Sequence, residues 1–184
     1  MNVYLDTTTL IALGEIGELD LLTTLDGRLC IQGPVEDEVT TEPADSNLRR
    51  FITRSPASVS GVSGDIFDET REAKEEAQRI LGEDEMNDDL AIVTMIVKLE
   101  NNGIDSAVIS DDRRLRTVAE GLGARVTGTI GVVVRAVAEG RLTEQEAKDL
   151  VRRLDSRGLH MTGELREKAD GLIEDAAQEN GDED

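Results

Sequence analysis

The chain has 184 residues, is 38% hydrophobic, and carries 40 acidic against 20 basic side chains for a formal charge of −20. That length supports one cored domain with a small appendage. No apolar run is long enough to span a bilayer, and a lone cysteine and a lone histidine exclude an intrachain disulfide and a histidine-rich zinc site.

Asn2 to Asp6 reads as a first strand. Thr8 to Leu13 and Glu18 to Leu25 read as short helices with apolar faces. Asp26-Gly27 marks a turn, and Arg28 to Ile31 a second strand, with Cys30 a buried core residue. Gly33-Pro34 opens a helix through Val39, with Pro43 ending it. Ser46 to Thr53 can be helical, and Ser55 to Gly64 is either a weak strand with its turns or a loop. Asp68 to Leu81 is a charged helix with a narrow stripe of Ala73, Ala77, Ile80 and Leu81. Asp88 to Leu99 is apolar nearly all round, as a central buried helix is. Ala107 to Ile109 is a buried strand, Arg113 to Gly121 a helix, and Arg125 to Thr127 another strand. Ile130 to Ala138, Glu144 to Leu154 and Leu165 to Ala177 read as three more helices, and "QENGDED" as a frayed acidic tail.

Strands alternating with helices predict an α/β fold with a mostly parallel sheet between two helical layers. One three-layer domain is expected over residues 1–157, a C-terminal helical extension over 158–178, and an acidic disordered tail over 179–184. The N-terminus lacks a signal-peptide pattern, so the chain is expected to be soluble and cytoplasmic, away from membranes.

The charge has a texture. Sixteen basic residues are Arg and four are Lys, and aromatics are 2%. An acidic, Lys-poor chain suggests adaptation to a very salty cytoplasm. At about 1 M salt the Debye length is only about 3 Å, so the net charge does not exclude a nucleic-acid substrate. Between Asp111 and Arg157 ten basic residues outnumber eight acidic ones, which marks the place to look for a phosphate-bearing partner. The competing reading is that those arginines pair with acidic neighbours on their own helices.

Within "VYLDTTTLIAL" an aspartate, Asp6, ends an apolar strand. It is either a helix cap or a ligand at the carboxyl end of the strand, where open α/β sheets place their sites. Three further acidic stations bear on the choice: Glu38 in "VEDEV", Asp88 and Asp89 at the head of the apolar helix, and Asp111 and Asp112 after the strand "AVI". Asp88 or Asn87 can cap the apolar helix, and Asp111 or Asp112 the helix that begins at Arg113. In a parallel sheet the carboxyl ends share one edge, so all four stations can meet there. Clustered carboxylates repel, and each is costly to bury alone. A divalent cation relieves both problems, and Mg²⁺ or Mn²⁺ suits an all-oxygen site.

"VYLDTTTLIAL", "VEDEV", "DDLAIVTMI" and "AVISDDRR", in that order, resemble the PIN-domain family of nucleases. "ISDDRRLRTVAEGLGARVTGTIGVVVRAVAEGRLT" resembles a subgroup described as nucleic-acid-binding proteins, often toxin-like partners of small antitoxins. The resemblance covers residues 2 to about 160. It implies a three-layer α/β/α fold on a parallel sheet of four to five strands. It also implies Mg²⁺- or Mn²⁺-dependent endonuclease action, usually on RNA, leaving a 5′-phosphate. Asp6 matches the first acid, Glu38 the second, Asp89 the third with Asp88 as the alternative, and Asp112 the fourth with Asp111 as the alternative. Thr7 and Ser110 match hydroxyl positions that support the site. The subgroup commonly has Gly-Glu where this chain has Asn87-Asp88.

On this reading Asp6, Asp89 and Asp112 hold one metal, and Glu38 binds a second or orients the attacking water. Arg113 and Arg116 share a helical face beside the fourth acid and are candidates to hold the RNA backbone; Arg114 points elsewhere. Pairing of these arginines with Asp111, Asp112 or Glu120 is the alternative. A small antitoxin and a homodimer are the expected protein partners, with Val151, Leu154, Leu165, Leu172 and Ile173 as apolar surface or as core. The rival reading is a non-catalytic PIN-like module that binds RNA or protein. A phosphatase using Asp6 as nucleophile needs a second Asp two residues on, where this chain has Thr8.

Overall fold

Val3, Tyr4 and Leu5 are 1% exposed or less, so the first strand lies inside the sheet with both faces covered. The computed structural model describes residues 1–55, 59–61 and 70–181. In chain order the elements are β1 (Asn2–Leu5), α1 (Thr7–Ile16), a 3-10 helix (Leu19–Thr24), β2 (Arg28–Ile31), α2 (Gly33–Glu38), α3 (Ala44–Arg54) and β3 (Val59–Gly61). There follow α4 (Arg71–Leu81), α5 (Asp88–Glu100), β4 (Ser106–Ile109), α6 (Arg113–Gly121), β5 (Arg125–Thr127), α7 (Thr129–Ala138), α8 (Glu144–Ser156) and α9 (Gly163–Gly181).

The five strands are all parallel in the order β3-β2-β1-β4-β5. The chain builds outward from β1 in one direction through β2 and β3, then restarts on the other side of β1 with β4 and β5. The order therefore reverses between β1 and β4. Such a switch point leaves a crevice at the strands' carboxyl ends, because the connecting helices leave in opposite directions. The register pairs Tyr4 with Cys30 and Leu5 with Ile109, which carries Asp6 and Ser110 side by side onto that edge.

Helices α4, α5 and α6 pack together, and α1, α3, α7, α8, α9 and the 3-10 helix form the other group. The all-round apolar α5 is the buried element of its layer: Leu90, Ile92, Val93, Ile96, Val97 and Leu99 are all in the core. Cys30 is buried, as expected, and His160 is exposed. No helix among the described residues is long and apolar enough to cross a membrane.

Three elements differ from their sequence reading. The stretch read as a helix from Glu18 is a 3-10 helix. The Thr23 and Thr24 hydroxyls donate to the carbonyls of Asp20 and Leu21 three residues back, which favours the tighter turn. Pro43 ends no helix. Helix α2 already stops at Glu38, and Pro43 precedes Ala44 at the start of α3, where a residue without an N–H costs nothing. Helix α9 runs to Gly181, so Gln178 to Asn180 are helical; Ala169, Ile173 and Ala176 anchor it in the core, and the Asn180 amide donates to the Val137 carbonyl at 3.4 Å. Of the apolar residues offered as partner surface, Val151, Leu154 and Ile173 are core, while Leu165 and Leu172 are exposed. Within the stretch from Ser55 to Gly64 a strand forms at Val59–Gly61. The remainder of that stretch beyond Ser55, the expected helix start at residues 68–69, and tail residues 182–184 lie outside the described residues.

Candidate metal centre

Asp6 occupies the N-cap position of α1, yet its carboxylate makes no cap bond. Its backbone does the local work: the Asp6 N–H donates to the Ile109 carbonyl at 3.0 Å, and its carbonyl accepts from Leu10 at 3.1 Å. The side chain is 1% exposed. It accepts Ser110 Oγ at 2.6 Å, across the β1–β4 switch point, and Thr8 Oγ1 at 2.5 Å. Both hydroxyls donate to the same oxygen, Oδ2. Burial pushes this carboxyl up from its ordinary range, the two hydroxyl bonds oppose the push, and neighbouring Asp88 adds to it. A carboxylate so placed, and spared from capping, is unfavourable unless something cationic meets it.

Helix α5 brings the next two acids. The amide side chain of Asn87 caps it, with Oδ1 accepting the Leu90 N–H at 2.8 Å; Asp88 Oδ1 accepts the Asp89 N–H at 2.8 Å, and the side chain of Asp89 is left free of capping. One carboxylate oxygen from each of Asp6, Asp88 and Asp89 lies within 4.8 Å of the other two. Asp89 is pushed up to about 6, by burial first and then by the charges of Asp88, Asp6 and Asp112, with Arg114 acting the other way.

Two more acids stand at the rim. Glu38 is the exposed last residue of α2; burial, then Asp88 and Asp6, raise its carboxyl from the ordinary value. Asp112 is exposed, and its Oδ1 caps α6 by accepting the Leu115 N–H at 2.8 Å. Its charge still reaches Asp89. All four stations therefore meet at one edge, with Asp6, Asp88 and Asp89 forming the tight group.

Asp111 faces another way. Its Oδ1 accepts the Thr129 N–H at 2.9 Å, and its Oδ2 the Thr129 hydroxyl, at the head of α7. A Cβ on Gly128 would stand 2.5 Å from Asp111 Oδ1, so glycine is what lets the carboxylate lie against that turn. Asp111 is thus spent wholly on the head of α7, whereas Asp112 caps α6 with one oxygen and its charge still reaches Asp89. Asp111→Ala is expected to cost about 1–2 kcal/mol, lowering Tm by roughly 2–8 °C, with Mn²⁺ affinity within about twofold of wild type. Asp112→Ala, which also removes the α6 cap, is expected to cost a similar amount, about 1–2 kcal/mol, and, unlike Asp111→Ala, to weaken Mn²⁺ by at least roughly tenfold. Thermal melts and Mn²⁺ titrations of the two variants check the division; equal Mn²⁺ losses would refute it.

The donor set fits a hard divalent cation. It is all oxygen, with Cys30 buried in β2 and His160 exposed elsewhere. Oxygens shared by one Mg²⁺ lie no more than about 4.2 Å apart, and the three acids already bring an oxygen each within 4.8 Å of the other two. Two buried polar atoms stand at the same edge: Thr7 Oγ1, directly after Asp6 and facing Glu38, and Gln32 Nε2, directly after β2, which lacks a hydrogen-bond partner. An edge holding a hydrated ion has use for such groups. Thr8, Gln32 and the Thr129 partner of Asp111 were not among the sequence candidates. Thr8 stands two residues after Asp6 in a visible threonine run, whereas the position of Gln32 beside Asp6 emerges only with the strand register.

Of the sequence-expected arginines, Arg113 and Arg116 make no ion pair with a described residue, and Arg114 pairs with Glu83 at 2.5 Å rather than with Asp111, Asp112 or Glu120. Other arginines of this basic stretch do pair with acids: Arg152 with Asp149, Arg153 with Glu18, and Arg135 with Asp26 and Glu139.

Fold and site together define a doubly wound α/β protein with an acidic, cation-suited edge at its switch point. The chain matches the PIN domain over residues 2–174 and belongs to the PIN-domain family. Members of that family are generally metal-dependent nucleases acting on nucleic acid, and the group of Asp6, Asp88 and Asp89 fits that chemistry. A comparison with curated proteins finds no match.

Proposed function

We propose that this PIN-domain protein is a Mg²⁺- or Mn²⁺-dependent endoribonuclease that hydrolyses RNA phosphodiester bonds. The observation that carries the reading is the buried Asp6 carboxylate, unused as a cap and grouped with Asp88 and Asp89. Asp6, Asp88 and Asp89, with Asp112 beside them, would hold the cation. When bound, such an ion makes water a better nucleophile at neutral pH and offsets charge on the phosphoryl group. Ser110 and Thr8 hold the Asp6 carboxylate in one orientation. Glu38, at the rim with a raised affinity for protons, would bind a second cation or orient the attacking water and take its proton. Arg113 and Arg116, with no acidic partner among the described residues, would hold the RNA phosphates. Water would add at phosphorus as the bond to the 3′-oxygen breaks, the departing oxygen taking a proton from bulk water, to leave a 5′-phosphate and a 3′-hydroxyl.

The resemblance to toxin-like members supports a small antitoxin partner that inserts a basic side chain among the acids. The exposed Leu165 and Leu172 on α9 are the apolar surface left for a homodimer. The acidic, Lys-poor composition supports a salt-adapted source.

The test is cleavage of a mixed single-stranded and structured RNA pool in molar KCl, with Mg²⁺, Mn²⁺ or EDTA. Cleavage in either metal, abolished by EDTA and leaving 5′-phosphate ends, is the expected result. A folded, metal-binding protein that cuts nothing would point instead to a non-catalytic RNA- or protein-binding module.

A further inference from the structure

Arg114 belongs to the first turn of α6, two residues past Asp112, yet its guanidinium does not close on the carboxylates. It reaches 31 residues back along the chain: Nη1 donates to Glu83 Oε1 at 2.5 Å, and Nη2 to the Leu81 carbonyl at 2.7 Å. Leu81 ends α4, and Glu83 lies in the short connection to α5. The other Glu83 oxygen, Oε2, accepts Asn87 Nδ2 at 2.6 Å. Asn87 Oδ1 in turn caps α5, and the next two residues are Asp88 and Asp89. A continuous run of hydrogen bonds thus leads from the helix that carries Asp112 to the helix head that carries the other acids.

We propose that Arg114, Glu83 and Asn87 form a clasp that positions Asp88 and Asp89 against Asp6 and Asp112; the proposal rests on the metal-site reading above. Stability alone does not account for it. Arg114 is half exposed, and an isolated exposed pair contributes little. This pair is embedded instead. The planar fork of Arg114 meets a carboxylate and a backbone carbonyl at once, an arrangement that lysine cannot copy. Asn87 uses both ends of its amide, one to hold Glu83 and one to start the helix. The clasp also answers a problem made by the site itself. Asp89 stands among Asp88, Asp6 and Asp112, which repel it, and the head of a helix is free to fray away from such a cluster. Fixing Asn87 from outside keeps that first turn closed. The charge of Arg114 acts on Asp89 and Asp112 as well, so the fastener is also a counterweight to the cluster. Outer groups of this kind orient the ligands of a metal site without touching the ion.

The experiment is a Mn²⁺ titration by calorimetry of the wild type, Arg114→Ala, Glu83→Ala, the double variant and Arg114→Lys. Amide hydrogen exchange of residues 87–91 is followed in the metal-free proteins, and thermal melts check folding. The clasp predicts that each alanine variant raises the Mn²⁺ Kd by about tenfold or more, that the double variant is no worse than either single, and that Arg114→Lys falls between. It also predicts faster exchange at residues 87–91 without metal, with Tm changed by no more than a few degrees. Wild-type binding with unchanged affinity in the variants would overturn the clasp alone. A rise confined to the RNA KM would do the same and would make Arg114 a phosphate contact. No Mn²⁺ binding by the wild type would overturn the metal site, and the clasp with it.

Discussion

Asp6→Asn is expected to abolish metal-dependent RNA cleavage while leaving the fold intact and slightly more stable. Asp6 is the most deeply buried of the clustered acids and the one to which both neighbouring hydroxyls are committed. Losing an outer partner of a metal ligand typically costs 10- to 100-fold, so loss of the central ligand's charge is expected to cost at least about a hundredfold in rate. The amide keeps the shape and one acceptor oxygen for Ser110 or Thr8. It removes a buried charge that Asp88 repels. The metal-free variant should therefore melt about 2–4 °C higher, corresponding to roughly 1 kcal/mol. That pairing of lost activity with gained stability is the usual mark of residues kept for function. Rates in Mn²⁺ and melting curves in EDTA, wild type beside variant, are the measurements. Full cleavage by Asp6→Asn would remove the basis of the proposed mechanism.

Mn²⁺ should stabilise the protein, and the effect should shrink as the pH falls through 6. Without metal, the folded state raises Asp89 from 3.8 to about 6, and raises Asp6 and Glu38 in the same direction. Between about pH 4 and 6 the folded chain then binds more protons at Asp89 than the unfolded chain does. Stability from this group is present at low pH and is lost as pH rises through that window. A cation reverses the balance, because it binds the deprotonated carboxylates and must displace their protons below pH 6. At a Mn²⁺ concentration of about 100 times Kd at pH 7.5, binding adds roughly 2.7 kcal/mol, raising Tm by about 5–10 °C. At pH 5 one displaced proton weakens binding about tenfold, and the same concentration then adds only about half as much. Melts with Mn²⁺ and with EDTA at both pH values check this. An equal shift at both would mean that the metal binds away from Asp89.

Much of the fold was legible because buried strands and amphipathic helices carry their environment in their spacing. The bounds of β2, α6 and β5 coincide with their apolar runs and turn residues, and the all-round apolar character of α5 placed it in the core. Segments without such contrast were harder to read: the leucine-rich stretch after Ile16 gave no sign of its tighter helical turn, and Pro43 is compatible with either end of a helix.

The site divides along the same line. The acidic stations could be found from residue type and strand ends, since carboxylates after apolar runs stand out in any sequence. Asp6 and Asp89 lie far apart in the chain, and their meeting follows from the parallel sheet that the alternating pattern already implied. Which acid is spent wholly on capping and which caps with one oxygen while its charge still reaches the cluster could not be read. Asp111 and Asp112 are neighbours of one chemical type, and only the head of α7 beside one of them and of α6 beside the other separates their tasks. The same holds for Arg114, whose partners 31 and 33 residues away are a matter of where α4 ends against α6. Spacing along the chain determines which elements form and which residues reach the edge of the sheet. Distances across packed elements determine which of those residues are consumed by the fold and which remain for chemistry, because a hydrogen bond between side chains depends on tenths of an ångström that no local pattern encodes.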